Sequence, residues 1–110
     1  MALIILAHPH FAQSIANKAV IEHVKTTRPN DEIRDVAALY PDYHINVEAE
    51  QQALLRHKTV VFQYPLYWYN MPAILKQYFD CVFAYGFAYG SAGDKLKGKN
   101  FIASITIGSP

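Results

Sequence analysis

The stretch TVVFQYPLYWYNMPAILKQYFD, residues 59–80, decides the fold. Its first part, TVVFQY, is β-branched and aromatic, as a buried strand should be. From Pro72 onward the apolar residues Ile74, Leu75, Tyr78, Phe79 and Val82 recur at helical spacing. Pro72 suits the first turn of that helix, where its missing N–H costs little. Between strand and helix stands the block Tyr67-Trp68-Tyr69, with Pro65 before it and Pro72 after it. Rings usually go into cores and turns usually lie on the surface. Three consecutive rings in a turn therefore need a partner, either as a local hydrophobic plug or against a flat ligand.

Working outward, the same alternation recurs. ALIILA, within residues 1–7, reads as a strand buried on both faces, without polar alternation. HPHFAQ breaks it, and Ser14 opens a helix with apolar positions Ile15, Ala16, Ala19, Val20 and Val24. TTRPN ends that helix, because Pro29 restricts the residue before it. DEIRDVAAL, residues 31–39, predicts a short, more polar strand near an edge. VEAEQQALLRH, residues 47–57, predicts a helix with Ala49, Ala53 and Leu54 on one face. After the long segment AYGFAYGSAGDKLKGK comes a fourth strand, NFIASITI, residues 100–107. Strands alternating with helices predict a doubly wound parallel α/β sheet. A final strand followed only by GSP would leave one sheet edge open. The expectation is a single domain, 1–110, that lacks a C-terminal strand and helix.

Composition narrows the classes. A chain of 110 residues makes one domain. A net charge of +1 with no basic run gives no footprint for nucleic acid. The apolar runs are far too short to span a bilayer, and the N-terminus lacks the order of a signal peptide. The single Cys81 cannot form an internal disulfide, which fits a reducing cytosol, and is expected to be an inert buried thiol. His10, His23, His44 and His57 show no metal-ligand spacing, so no metal site is expected. Asp31–Glu32 and Glu48–Glu50 read as solvated faces. Neither G-x-S-x-G nor a Ser-His-Asp arrangement is present.

In doubly wound sheets, ligands bind beyond the carboxyl ends of the strands, where strand order reverses. Three segments fall there: residues 8–13, residues 64–71, and whatever follows Thr106. In AHPHFAQSIANK, residues 7–18, a helix N-terminus offers unpaired N–H groups and a partial positive charge to a phosphate. Ser14, Asn17 and His8 can add side-chain donors, each hydrogen bond to a charged group contributing roughly 1.5–3 kcal/mol. The plainer alternative makes Ser14 an N-cap and His8 an ordinary loop residue. No G-x-G-x-x-G or P-loop glycine pattern is present, which argues against a dinucleotide fingerprint or a nucleotide triphosphatase. The proline-bracketed rings suit the face of a planar heterocycle. A phosphate at the first segment and a flat ring at the second describe a mononucleotide. The Gly-aromatic run AYGFAYG, residues 84–90, fits a covering loop, a subunit contact or a structural turn.

AHPHFAQSIAN, QYPLYWYNMPAILKQYFD, FAYG and ITIGSP together resemble the flavodoxin-like NAD(P)H:quinone oxidoreductases, across essentially the whole chain. The resemblance implies sheet order 2-1-3-4-5 and a non-covalent FMN rather than FAD. Carried across, His8, Ser14, Ile15, Ala16 and Asn17 would surround the phosphate. Pro65, Leu66, Tyr67 and Trp68 would line the isoalloxazine, and Ile105, Thr106, Ile107 and Gly108 would close its other side. Where the family reads Thr-Thr-Gly-Gly, this chain has Thr106-Ile107-Gly108-Ser109. The family's proton-relay tyrosine and histidine lie beyond Pro110, so no catalytic residue is assigned. The resemblance further implies NAD(P)H as co-substrate, a quinone acceptor served by ping-pong hydride transfer, and a homodimer with Tyr89 facing a shared pocket. LYPDYHINVEAEQQAL, residues 39–54, and YGFAYG are most similar to one branch of the family. Its members are ancillary subunits of glutathione-gated potassium efflux systems, on the cytoplasmic face of the inner membrane. That branch makes a regulatory module the second reading. A receiver-type signalling domain would need an aspartate where Gln63-Tyr64 stands.

Overall fold

In a computed structural model of the protein, residues 2–8, 15–65, 71–83 and 96–106 are described, the side chains of residues 15–17 excepted. The elements run β1 (Leu3–Leu6), α1 (Ile15–Thr27), β2 (Glu32–Asp35), α2 (Val36–Leu39), α3 (Val47–Leu55), β3 (Thr59–Pro65), α4 (Ala73–Val82) and β4 (Asn100–Thr106). The four strands form one parallel sheet in the order β2-β1-β3-β4. This is the expected doubly wound α/β topology for the strands present.

β1 is buried along its whole length because helices cover both of its faces. On one face Ile4 and Leu6 pack with Ile21 and Val24 of α1 and with Ile33 and Val61. On the other, Leu3, Ile5 and Ala7 join Val36 of α2, Ala53 and Leu54 of α3, Val60 and Phe62 of β3, and Ile74, Leu75, Tyr78 and Val82 of α4. Aromatic rings extend that second core toward β4. Phe62 lies 5.0 Å from Phe79 and stacks at 6.1 Å on Phe101, and Phe83 joins Phe79 at 5.1 Å, centroid to centroid.

Several expectations are corrected. In α1 the inward stripe is Ile21 and Val24, while Ala19 and Val20 are exposed, because a single narrow face meets the sheet. The polar second strand stops at Asp35, whose carboxylate accepts the Ala38 N–H and starts α2. Cys81 is half-buried, with the Gln77 amide 3.3 Å from its Sγ.

The largest correction concerns the acidic pairs, of which only Glu48 is solvated. Glu50 is fully buried and accepts Arg34 Nε at 2.8 Å, Arg34 Nη2 at 2.6 Å and the Tyr40 hydroxyl. The Glu50 hydrogen bond is the main reason the Arg34 pKa is raised. Asp31 accepts the Ala2 N–H at 2.8 Å and Arg28 Nε at 2.6 Å. Glu32 receives Arg56 Nη2 at 2.7 Å and the His57 ring at 2.8 Å. Burial alone would raise the Asp31 and Glu32 pKa values, but hydrogen bonds and charge from these partners outweigh it and hold both below the ordinary range.

Two predictions follow from these groups. A depressed folded-state pKa stabilises the protein above the ordinary carboxylate range and is lost on acidification. Urea-unfolding stability is therefore expected to fall as the pH drops through and below the ordinary values of 4.5 for Glu32 and 3.8 for Asp31. In the Asp31→Asn, Glu32→Gln double variant this acid limb flattens; an unchanged limb assigns it elsewhere. The Tyr78 hydroxyl is buried without a hydrogen-bond partner among the described residues, and burial, then Glu50, pushes its pKa up. A buried unpaired hydroxyl costs about 1–3 kcal/mol. Tyr78→Phe is expected to match or exceed the parent in urea stability, whereas Tyr78→Ala loses about 3–5 kcal/mol by opening a cavity.

Candidate functional site

Parallel pairing brings three strand ends together. Leu6 of β1 is in register with Gln63 of β3, and Pro65 at the end of β3 with Thr106 at the end of β4. The Ala7 N–H donates to the Gln63 carbonyl at 3.0 Å, so β1 and β3 stay paired up to the residue before His8. From β1 the chain crosses to β2 on one side, and from β2 it crosses back to β3 on the other. The gap between β1 and β3 is therefore the switch point of the sheet.

Each strand end has a local cause. Pro65 carries no N–H, which suits the last residue of a strand. Pro72 caps α4 with φ −58°, and its carbonyl accepts the Leu75 and Lys76 N–H groups at 3.0 and 3.2 Å. α1 starts at Ile15, on the chain leaving β1, so its first-turn N–H groups belong to the carboxyl end of the sheet.

Of the residues expected at the site, His8 is buried just past β1, and Pro65 is buried at the end of β3. Ile15, Ala16 and Asn17 form the first turn of α1. Ser14, Leu66, Tyr67, Trp68, Ile107 and Gly108 lie outside the described residues, as do Tyr89 and the run 84–90. Ile105 and Thr106 are separated by the strand pleat. Thr106 shares the face of Pro65, whereas Ile105 pairs with Tyr64 on the opposite face and is half-exposed. Their side chains cannot both approach a ligand from one side.

Two polar side chains near these strand ends escaped notice in the sequence. Gln63 is 1% exposed and lies in register with Ser104, on the sheet face covered by α1. The signal was available: each is a polar residue in an otherwise apolar strand. Further down that face a groove of about 290 Å³ runs between α1 and β4, past Val20, Val24, Val61 and Ile102. It is largely apolar, and the Arg28–Asp31 pair at 2.6 Å in its wall is self-neutralised, so it makes a poor anion seat. Among the described residues no group of His, Cys, Asp or Glu could hold a metal, and no helix is long and apolar enough to cross a membrane.

Comparisons with known proteins agree with this geometry. A family model, Flavodoxin_2, described as a flavodoxin-like fold, matches residues 1–110. An uncharacterised NAD(P)H oxidoreductase, YdeQ of Bacillus subtilis, is 46% identical over 98% of this chain and 54% of its own. The glutathione-regulated potassium-efflux ancillary protein KefF of Salmonella arizonae is 47% identical over 98% of this chain and 61% of its own. The structure of general stress protein 14 from Treponema denticola, solved with FMN, superposes with TM-score 0.93 at 40% identity, covering 99% of this chain and 63% of that one. An NADPH-quinone reductase from P. pentosaceus superposes with TM-score 0.81 at 31% identity, covering 100% and 61%. The chain thus spans between half and two thirds of the length of these relatives. A parallel sheet with its switch point between β1 and β3, matched from Met1 to Pro110 by one family model, makes this chain a member of the Flavodoxin_2 family of the flavodoxin-like fold.

Proposed function

We propose that the protein is a flavin-dependent NAD(P)H oxidoreductase that binds FMN at the carboxyl end of its sheet and reduces a quinone. The observation that carries this reading is the convergence of the β1, β3 and β4 ends around the switch point, with His8, Pro65 and Thr106 at those ends. The FMN bound by the Treponema denticola neighbour and the names of the NAD(P)H oxidoreductase and quinone reductase relatives support the same reading.

The residues present fit such a group. In this reading His8 would offer a ring N–H to the phosphate, and the first turn of α1, Ile15, Ala16 and Asn17, would add backbone N–H groups. Ser14 belongs to the same seat in this reading. On the β3 side, Pro65, Leu66, Tyr67 and Trp68 would line the ring, and Thr106, Ile107 and Gly108 would close it from β4. Ile105 contributes backbone only, given its opposite face. Bound flavin would supply two-electron chemistry, accepting hydride from NAD(P)H and passing it to a quinone. The chain's own work is to fix the phosphate, exclude water with apolar walls and leave one ring face open for the two substrates in turn. No residue of this chain is assigned a proton-transfer step. A homodimer belongs to the same proposal, and sedimentation equilibrium decides it.

Purified protein is expected to show an oxidised-flavin spectrum that NADPH or NADH bleaches and a quinone restores. A colourless protein that takes up no added FMN overturns the enzyme reading. His8→Ala removes one hydrogen bond to a charged phosphate, about 1.5–3 kcal/mol, so the FMN Kd should rise roughly ten- to a hundredfold. Unchanged affinity would remove His8 from the seat.

A second reading rests on the 47% identity to KefF. In it the protein is an ancillary subunit of a glutathione-gated potassium efflux system, at the cytoplasmic face of the membrane, and reductase activity is secondary. Potassium efflux measured with and without the protein beside a candidate channel separates the two. Stimulation that survives loss of reductase activity favours the regulatory role, and no stimulation removes it.

A further inference from the structure

β4 lies at the edge of the sheet, paired with β3 alone among the described strands. Its register with β3 runs unbroken from Thr59↔Asn100 to Pro65↔Thr106, so it carries no bulge. The strand, NFIASIT, contains neither a charge nor a proline. Bulges, charges and prolines are what usually keep an open edge from pairing with another strand. The β2 edge has charges in Glu32, Arg34 and Asp35. On β4, Phe101, Ile102 and Ile105 are 42%, 50% and 43% exposed, and Ala103 between them is exposed as well.

The backbone register shows which groups that edge offers. The Asn100 N–H donates to the Lys58 carbonyl at 2.9 Å, so Asn100 turns its polar backbone groups toward β3. Successive residues of a strand point those groups to alternate sides. Ile102 and Ser104 therefore also face β3, while Phe101, Ala103 and Ile105 aim N–H and C=O at the open edge. The sequence around them has the symmetry that a two-fold axis requires. With Ala103 on the axis, an antiparallel copy sets Ala103 opposite itself, Phe101 opposite Ile105, and Ile105 opposite Phe101. All of these pairs are of the kind that exchanges two hydrogen bonds. Phe101 and Ile105 then place an aromatic ring beside a β-branched side chain on both sides of the axis. Moving the axis to Ile102 or Ser104 would lose both of those pairs.

We infer that β4 is a self-association edge. A second copy of this chain pairs antiparallel with it about a two-fold axis at Ala103, joining two four-stranded sheets into one. Self-complementarity identifies the partner, because an isologous contact needs one patch that matches itself in hydrogen bonding, side-chain shape and charge. Phe101, Ala103 and Ile105 supply that match with no charge to repel. The contact is independent of bound flavin, and a homodimer formed through any other surface does not use Ala103.

The test is sedimentation equilibrium on the full chain over a range of concentrations, with urea unfolding to check that each variant folds. The parent is expected to be a concentration-dependent dimer. Ala103→Lys and Ala103→Glu each set like charges opposite one another across the axis. Each is expected to weaken the dimer at least about tenfold, and an equimolar mixture of the two to recover it as a heterodimer. Ala103→Pro removes only an N–H aimed at the open edge, so it is expected to fold and to stay monomeric. A parent that is monomeric at every concentration overturns the inference. So does a dimer that the lysine and glutamate variants leave unchanged, which would use another surface, and so does a mixture that stays monomeric. Aggregation without a defined dimer also overturns it, as the mark of an apolar edge with no set register. If the proline variant fails to fold, the lysine and glutamate pair decides, and loss of the fold in all three overturns the inference. Its failure leaves the flavin reading standing, since that reading is decided by FMN uptake.

Discussion

β1 is hydrogen-bonded on both sides, to β2 from Leu3↔Glu32 to Leu6↔Asp35 and to β3 from Leu3↔Val60 to Leu6↔Gln63. The chain moves from β1 out to β2 and then back past β1 to β3, so right-handed crossovers put their helices on opposite faces of the sheet. α1 therefore lies against Ile4 and Leu6, while α2, α3 and α4 enclose Leu3, Ile5 and Ala7. The same constraint makes consecutive connections leave β1 and arrive at β3 in opposite senses. In open α/β sheets such a switch point is where ligands bind, outside the carboxyl ends of the strands. The candidate site is a by-product of the way β1 is paired.

The two edges of the sheet are finished differently. At β2, charge does what neighbouring strands do elsewhere. Arg34 reaches Glu50 on α3, and Glu32 holds Arg56 and His57 just beyond the end of that helix. These contacts pin a four-residue strand whose side chains are only partly buried, and they place charged groups along an edge that would otherwise invite another strand. Glu50 can stay buried because it receives three hydrogen bonds and a facing guanidinium, which offset much of its desolvation. At β4 the exposed large side chains are apolar. Phe101, Ile102 and Ile105 are each more than 40% exposed, alternating between the two faces.

How much of this could be read from the sequence depended on whether a residue's role was local. The strands of TVVFQY and ALIILA and the helix behind Pro72 declare themselves through composition, periodicity and a proline with one good place to sit. The role of Glu50 is not local. Its spacing from Glu48 looks like any solvated helix face, and only Arg34, 16 positions earlier in the chain, reveals that it turns inward. Val20 and Ile21 pose the same difficulty, since adjacent apolar residues leave the stripe of α1 uncertain by about 100°, and the sheet decides between them. At the site, the alternation of strands and helices located the three segments. His8, Pro65 and Thr106 fall at strand ends where expected, while Ser14, Leu66, Tyr67, Trp68, Ile107 and Gly108 lie outside the described residues. Ile105 and Thr106, named together from the sequence, are sent to opposite faces by the pleat, which a run of neighbours does not reveal.

That pleat also determines which chemistry each face of the sheet can offer a ligand at its crest. The α1 face ends in Gln63, Pro65, Ser104 and Thr106, and α1 itself begins at that end of the sheet. The opposite face ends in Tyr64 and Ile105 above a core of Phe62, Tyr78, Phe79 and Phe83. One face is thus polar and suited to an anion, the other aromatic and aliphatic. In the proposed flavin reading, the phosphate would lie toward the start of α1 and the ring nearer the switch point. The alternation of side chains in β3 and β4 thus gives the two faces of the sheet different chemistry at its carboxyl end.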